Sequence, residues 1–142
     1  MERPVITIRT SINASIGRVW KCWTDPGDIL RWNQASEDWH TTQATNELHV
    51  GGRFSHRMEA KDGSAAFDFE GVYDQVILHR RIEYTLADGR MVRVLFTPGD
   101  RHTVVEETFE AEEMNSLELQ QAGWQSILDN FRQYVEGFLQ NP

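Results

Sequence analysis

Apolar and polar positions alternate with two different periods along this chain, and the change of period marks out its elements. Residues 4 to 10, Pro-Val-Ile-Thr-Ile-Arg-Thr, are rich in β-branched side chains and predict a first strand. Ser-Ile-Asn-Ala-Ser follows, with Ser15 or Asn13 placed to cap a short helix. Ile16, Val19, Trp20 and Trp23 then fall at i, i+3, i+4 and i+7, one apolar helical stripe. Asp25-Pro26 ends that helix and begins a second, with Asp25 as cap and Pro26 at the first helical position. The second helix carries Ile29, Leu30 and Trp32.

From about residue 37 to 111 the period is two. Strands are expected over Trp39–Ala44 and Arg53–Ala60, with Phe54, His56, Met58 and Ala60 on one face of the latter. Asn46–Gly52 and Lys61-Asp62-Gly63-Ser64 read as turns. Phe67, Phe69, Gly71 and Tyr73 share a face opposite Asp68, Glu70 and Val72. Ile82, Tyr84 and Leu86 alternate, Asp88-Gly89 makes a tight hairpin, and Val92, Val94 and Phe96 alternate again. Pro98-Gly99-Asp100 turns into a last strand, Thr103–Ala111, with Val105, Glu107 and Phe109 on one face.

The last segment returns to helical spacing. Leu117, Gln120, Trp124, Ile127, Phe131, Tyr134, Val135 and Phe138 trace one stripe, and Asn115 with Glu118 resembles a capping box. A helix over residues 116–139 is about 36 Å long at ~1.5 Å per residue, enough to cross a whole sheet. The expected fold is therefore α+β. It has a curved antiparallel sheet of about seven strands, two short helices after the first strand, and a long C-terminal helix lying across the sheet.

At 142 residues the chain fits a single domain, 1–142. Its one cysteine, Cys22, excludes an intramolecular disulfide framework, and its place on the first helix reads as a small buried residue. Formal net charge is −8, from 14 basic and 22 acidic residues, which argues against nucleic acid as a partner. The charge is unevenly spread. His102 to Phe131 holds no Lys or Arg but contains Glu106, Glu107, Glu110, Glu112, Glu113, Glu118 and Asp129. That stretch reads as a solvated strand and helix start, or as an acidic contact surface for a protein partner. The N-terminal Met-Glu-Arg-Pro-Val-Ile-Thr-Ile-Arg-Thr lacks a signal-like apolar run, and no segment has the length of a membrane span. A cytoplasmic protein with no membrane partner is expected. A homodimer through an exposed sheet edge is left open.

Several short motifs occur in a telling order. Ile12-Asn13-Ala14-Ser15 precedes Val19-Trp20, and Asp25-Pro26 precedes Leu30-Arg31-Trp32. Val50-Gly51-Gly52-Arg53-Phe54, Met58-Glu59-Ala60-Lys61-Asp62-Gly63 and Phe69-Glu70-Gly71 follow, then Gly123-Trp124 and Leu128. In this order the chain resembles the START and Bet v 1-like (helix-grip, SRPBCC) superfamily. Within it, the chain resembles the family related to the C-terminal domain of the Hsp90 ATPase activator. The resemblance implies a cavity between sheet and long helix, in a superfamily that binds varied apolar ligands and includes polyketide cyclase-like enzymes. The separate N-terminal domain with which the eukaryotic activator grips the chaperone has no counterpart in the motifs read here.

The chemistry-bearing residues are few. His56 lies beside Phe54 and Met58, and Glu107 between Val105 and Phe109, so both are candidate polar groups of the cavity. The alternative reading gives them structural roles, with His56 turned outward or hydrogen-bonded and Glu107 rotated by a bulge or paired across strands. The lining expected on the strands is Phe54, His56, Met58, Phe69, Tyr73, Tyr84 and Glu107. Trp124, Ile127 and Phe131 are expected from the long helix, with Trp32 and Trp39 at the mouth. Asp38 and His40 are two potential ligands without a third, so no metal is implied, and no motif calls for a cofactor. The expected function is binding of a small apolar or aromatic molecule. An enzyme using His56 or Glu107 as acid or base, and an acidic co-chaperone-like interaction module, are the alternatives.

Overall fold

The alternating segments become strands because their β-branched and aromatic side chains suit a pleated surface buried on one face. The computed structural model describes residues 3–140, with side chains as far as Gly137. Met1 and Glu2 of the N-terminal reading, and the Phe138 side chain of the helical stripe, lie outside the described residues. The elements are β1 (Val5–Ile12), α1 (Ile16–Thr24), α2 (Pro26–Trp32), β2 (Trp39–Asn46), β3 (Arg53–Ala60), β4 (Ala66–Ile77), β5 (Arg81–Leu86), β6 (Met91–Pro98), β7 (Thr103–Glu110) and α3 (Leu117–Gln140). The strands form one antiparallel sheet in the order β1-β7-β6-β5-β4-β3-β2. Six of them run as the expected meander, and β1 pairs with β7, setting Ile8 opposite Glu107 and Ile6 opposite Phe109. This is the helix-grip architecture anticipated from the residue pattern.

The sheet curls, and local features account for much of the curl. Register shifts between Thr41 and Gln43 and between Tyr73 and Gln75 bend β2 and β4 as bulges do. Gly71 lies where a Cβ would stand 2.5 Å from the Thr85 carbonyl oxygen and 3.0 Å from the Phe54 ring. Only glycine lets Phe54 lie flat against the strand there.

Helix α3 packs mainly on β1 and also touches α1 and α2. Leu128, Phe131 and Val135 are fully buried in that contact. The expected stripe is thus correct at its centre and wrong at its start. Leu117 is half exposed, while Leu128, absent from the expected stripe, is buried.

Helix caps hold one expectation and correct two. Asp25 accepts the Gly27 N–H at 2.8 Å, with Pro26 at the first helical position of α2. Ser15 occupies the N-cap position of α1 without a side-chain cap, and Asn13 instead gives its backbone N–H to Glu136 at 2.9 Å. At α3 the cap is Ser116, whose Oγ accepts the Leu119 N–H at 3.1 Å. Asn115 lies one residue too early for its expected role, and its N–H donates to Glu112 at 2.7 Å. Gln120 ties the same loop to the helix: it accepts the Glu112 N–H at 2.8 Å and donates to the Asn115 carbonyl at 2.8 Å. Replacing Ser116 by Ala should cost about 1 kcal/mol in denaturant unfolding, as lost N-caps do, whereas Asn115→Ala should leave stability nearly unchanged.

Candidate functional site

The anchoring of α3 on one side of a curled sheet leaves space on the other. Trp124 stacks face to face on Phe109 of β7, with ring centroids 3.8 Å apart and planes 9° from parallel. Beyond that stack the inner faces of β3, β4 and β5 turn away beneath the first half of α3. The cavity there is about 360 Å³. Phe54, His56 and Met58 of β3, Phe67, Phe69 and Tyr73 of β4, and Ile82 and Tyr84 of β5 form its sheet wall, with Glu107 of β7. Trp23, Ile29, Trp32 and Asn33 close one end, and Gln120, Gly123, Trp124 and Ile127 form the helix side. Arg90, Glu112, Asn115 and Leu119 complete the lining.

Of the residues expected at the cavity, Trp39 and Phe131 do not line it. Trp39 packs its ring on Phe67, with centroids 5.8 Å apart, so Phe67 takes the place expected of it. Phe131 is fully buried, edge-on to Trp23 at 4.9 Å and to Trp32 at 4.7 Å. Those two tryptophans meet the cavity and Phe131 supports them from behind. Trp23, Ile29, Asn33, Phe67, Ile82, Arg90, Glu112, Asn115, Leu119, Gln120 and Gly123 line the space without having been singled out. The helical stripe through Trp23, the face shared by Phe67 and Phe69, and the alternation of Ile82 with Tyr84 carried some of that signal. Asn33 begins the polar connection between Trp32 and Trp39 at the expected mouth, and Gly123 was marked only as part of the Gly123-Trp124 pair.

Most polar groups in the wall are spent on the protein. The Tyr73 hydroxyl donates to Asn46 Oδ1, and Arg90 pairs with Asp88 at 2.7 Å. Asn33 Nδ2 lies 3.0 Å from His56 Nδ1. With the amide as donor, Nδ1 is the acceptor and the imidazole proton sits on Nε2. His56 is also sandwiched by rings, lying nearly parallel to Phe69 at 6.0 Å and 5.4 Å from Phe54. Burial therefore pushes its pKa down to about 4, and at neutral pH it is uncharged.

Glu107 differs. It is 95% buried, given its exposure of 5%. Its carboxyl has no hydrogen-bond partner among the described residues, nor has the nearby Tyr84 hydroxyl. Among the described residues no polar side-chain atom sealed away from open space is left without a partner, so these oxygens open onto the cavity. Desolvation pushes the Glu107 carboxyl up to about 8 and holds the Tyr84 phenol well above its ordinary range. At neutral pH the cavity presents an uncharged carboxylic acid, a phenol and a neutral imidazole.

Cys22 is a free, buried thiol outside the cavity. Among the described residues no three His, Cys, Asp or Glu side chains gather as a metal site requires. No described helix is long and apolar enough to cross a membrane.

Comparison with known proteins adds a family. The model of the family described as activator of Hsp90 ATPase homolog 1-like protein matches residues 13–136. The solution structure of the AHSA1-like protein from Aeromonas hydrophila is 50% identical, over 95% of this chain and 94% of that one, with a TM-score of 0.89. A solution structure from Cytophaga hutchinsonii is 49% identical, over 96% of this chain and 95% of that one, with a TM-score of 0.82. A crystal structure from Chromobacterium violaceum shares the fold, with a TM-score of 0.84, at 20% identity over 94% and 98% of the two chains. No curated protein matches the chain.

The two shifted groups predict a pH profile. Glu107 has a raised pKa, so its protonated form favours the fold below about 4.5 and that contribution is lost as pH climbs to about 8. His56 has a lowered pKa, so its contribution is complete above 6.5 and is lost as pH falls towards about 4. The two trends oppose each other below 6.5, and Glu107 acts alone above it. Unfolding free energy should fall by about 2 kcal/mol between pH 6.5 and 8, at ~1.4 kcal/mol per pH unit, and Glu107→Gln should abolish that fall in urea titrations.

Proposed function

The chain belongs to the activator of Hsp90 ATPase homolog 1-like family, and we propose that this member is a binding protein. Its cargo is a small, largely apolar molecule held between the sheet and α3. One observation carries the reading: an aromatic-walled cavity of about 360 Å³ contains a buried carboxyl with no partner among the described residues. Ligand sites commonly have roughly 300–1,000 Å³, with apolar walls and a few placed polar groups. The Glu107 oxygens open onto this space, so a polar group on an occupant can reach them. A cytoplasmic setting belongs to the same proposal and agrees with the free Cys22 thiol.

A second reading, a cyclase-like enzyme, rests on the same carboxyl. With a pKa of about 8, Glu107 holds a proton at neutral pH and can give it up there, as a general acid must. The interaction-module reading is weaker, because much of the acidic segment has local work. Glu110 accepts the Met91 N–H at 2.7 Å, Glu112 accepts from Asn115, and Glu118 stands in the first turn of α3.

Gly123 provides a test that spares the fold. It lies on α3 against the cavity, and a Cβ there meets nothing within 4 Å. Gly123→Leu should fill the space and gain up to about 1 kcal/mol in helix propensity. Native mass spectrometry of protein purified from its own host should show a small-molecule adduct on the wild type and none on this variant. An adduct of equal occupancy on both contradicts the cavity reading. Turnover of the bound compound by wild type but not by Glu107→Gln selects the enzyme.

A further inference from the structure

We infer that the cavity is built for an organic cation, an amine or quaternary ammonium on an apolar body, with the Glu107 carboxylate as its counter-ion. This rests on the cavity being a binding site, and it specifies the chemistry of the occupant.

The geometry supplies the two things a desolvated ammonium needs. The first is a set of aromatic faces. Phe54 lies 4.8 Å from Tyr84 and 5.2 Å from Tyr73, and Phe69 lies 6.0 Å from both Phe54 and Trp124. Phe54, Phe69, Tyr73, Tyr84 and Trp124 all line this one space, and an ammonium that comes to lie over the face of one of these rings, within roughly 6 Å, is attracted. The second is a carboxyl that can supply the counter-charge and that no described side chain already pairs. Glu107 is buried on β7 with its oxygens open to the cavity and no partner. A buried ion pair holds when the partner charge arrives with the ligand, whereas a lone buried charge does not.

The groups around Glu107 leave this assignment standing. Tyr84 faces it from β5 and His56 lines the wall on β3 in its neutral form. On β4, Tyr73 is committed to Asn46. The strand neighbours of Glu107 are Ile8 on β1 and Val94 on β6, and the lining from α1, α2 and α3 holds no titratable side chain. Arg90 is the one cation in the lining, and Asp88 pairs it at 2.7 Å. Glu112 lines the cavity as well, and no Lys or Arg occurs from His102 to Phe131.

The probe is benzyltrimethylammonium, whose charge is fixed at every pH, with neopentylbenzene as its uncharged isostere. Binding is read from the tryptophan fluorescence of the full chain. The cation requires ionised Glu107, so below about pH 8 each unit of acidification should weaken it about tenfold. Between pH 9 and pH 6 the loss should be roughly a hundredfold. Glu107→Gln, close in shape to the protonated acid, should bind the cation weakly and without this pH dependence, while binding the isostere as wild type does. If neopentylbenzene binds and the cation binds no better at pH 9 than at pH 6, the cation assignment is overturned and the cavity reading survives. If neither probe binds, both fall.

Discussion

The stack of Trp124 on Phe109 fixes how the long helix meets the sheet, and the other features of the site depend on it. With ring centroids 3.8 Å apart, this contact brings α3 close to β7, and Leu128, Phe131 and Val135 complete the seal. The same contact cannot be made over β3, β4 and β5, because the sheet has curled through the bulges in β2 and β4. Space is left where the helix and the curled strands part. Glu107 is two residues before Phe109 on the same face, so the ring stack that seals the core also withdraws the carboxyl from solvent.

Burial then sets the electrostatics. His56 and Glu107 are pushed in opposite directions by one cause, loss of water, and each is left uncharged at neutral pH. Asn33 engages one ring nitrogen of the imidazole, whereas among the described residues no side chain engages the carboxyl. The net charge of −8 acquires a finer meaning in this light. Of its acidic stretch, Glu110 and Glu112 bind backbone N–H groups, Glu118 sits at a helix start, and Glu107 alone is turned into the interior.

Much of this was legible in the residue pattern. Alternation placed the meander strands and set His56 with Phe54 and Met58, and Glu107 with Val105 and Phe109, but a pleated strand has two faces and the spacing left open which one turns inward. Asp25-Pro26 marked the start of α2, since few residues cap and begin a helix so well. Depth was not legible. Periodicity assigns Phe131 and Trp124 to one stripe of α3, but it does not say that Trp124 meets the cavity while Phe131 stands behind Trp23 and Trp32. Gly123 was invisible as a lining residue because it contributes space and no contact. Ser116 was missed as the cap of α3 because Asn115-x-x-Glu118 offers the same signature one residue earlier, and the loop bonds made by Glu112 and Gln120 decided between them.

The central claim is that Glu107 is a free carboxyl held uncharged in a cavity of the fold. The direct measurement is a pH titration of its side-chain carboxyl carbon by NMR, assigned from the resonance that Glu107→Gln removes. A midpoint near 8 is predicted, far from the other glutamates. A midpoint near 4.5 contradicts the account, since it means that water or an unrecognised cation already satisfies the group.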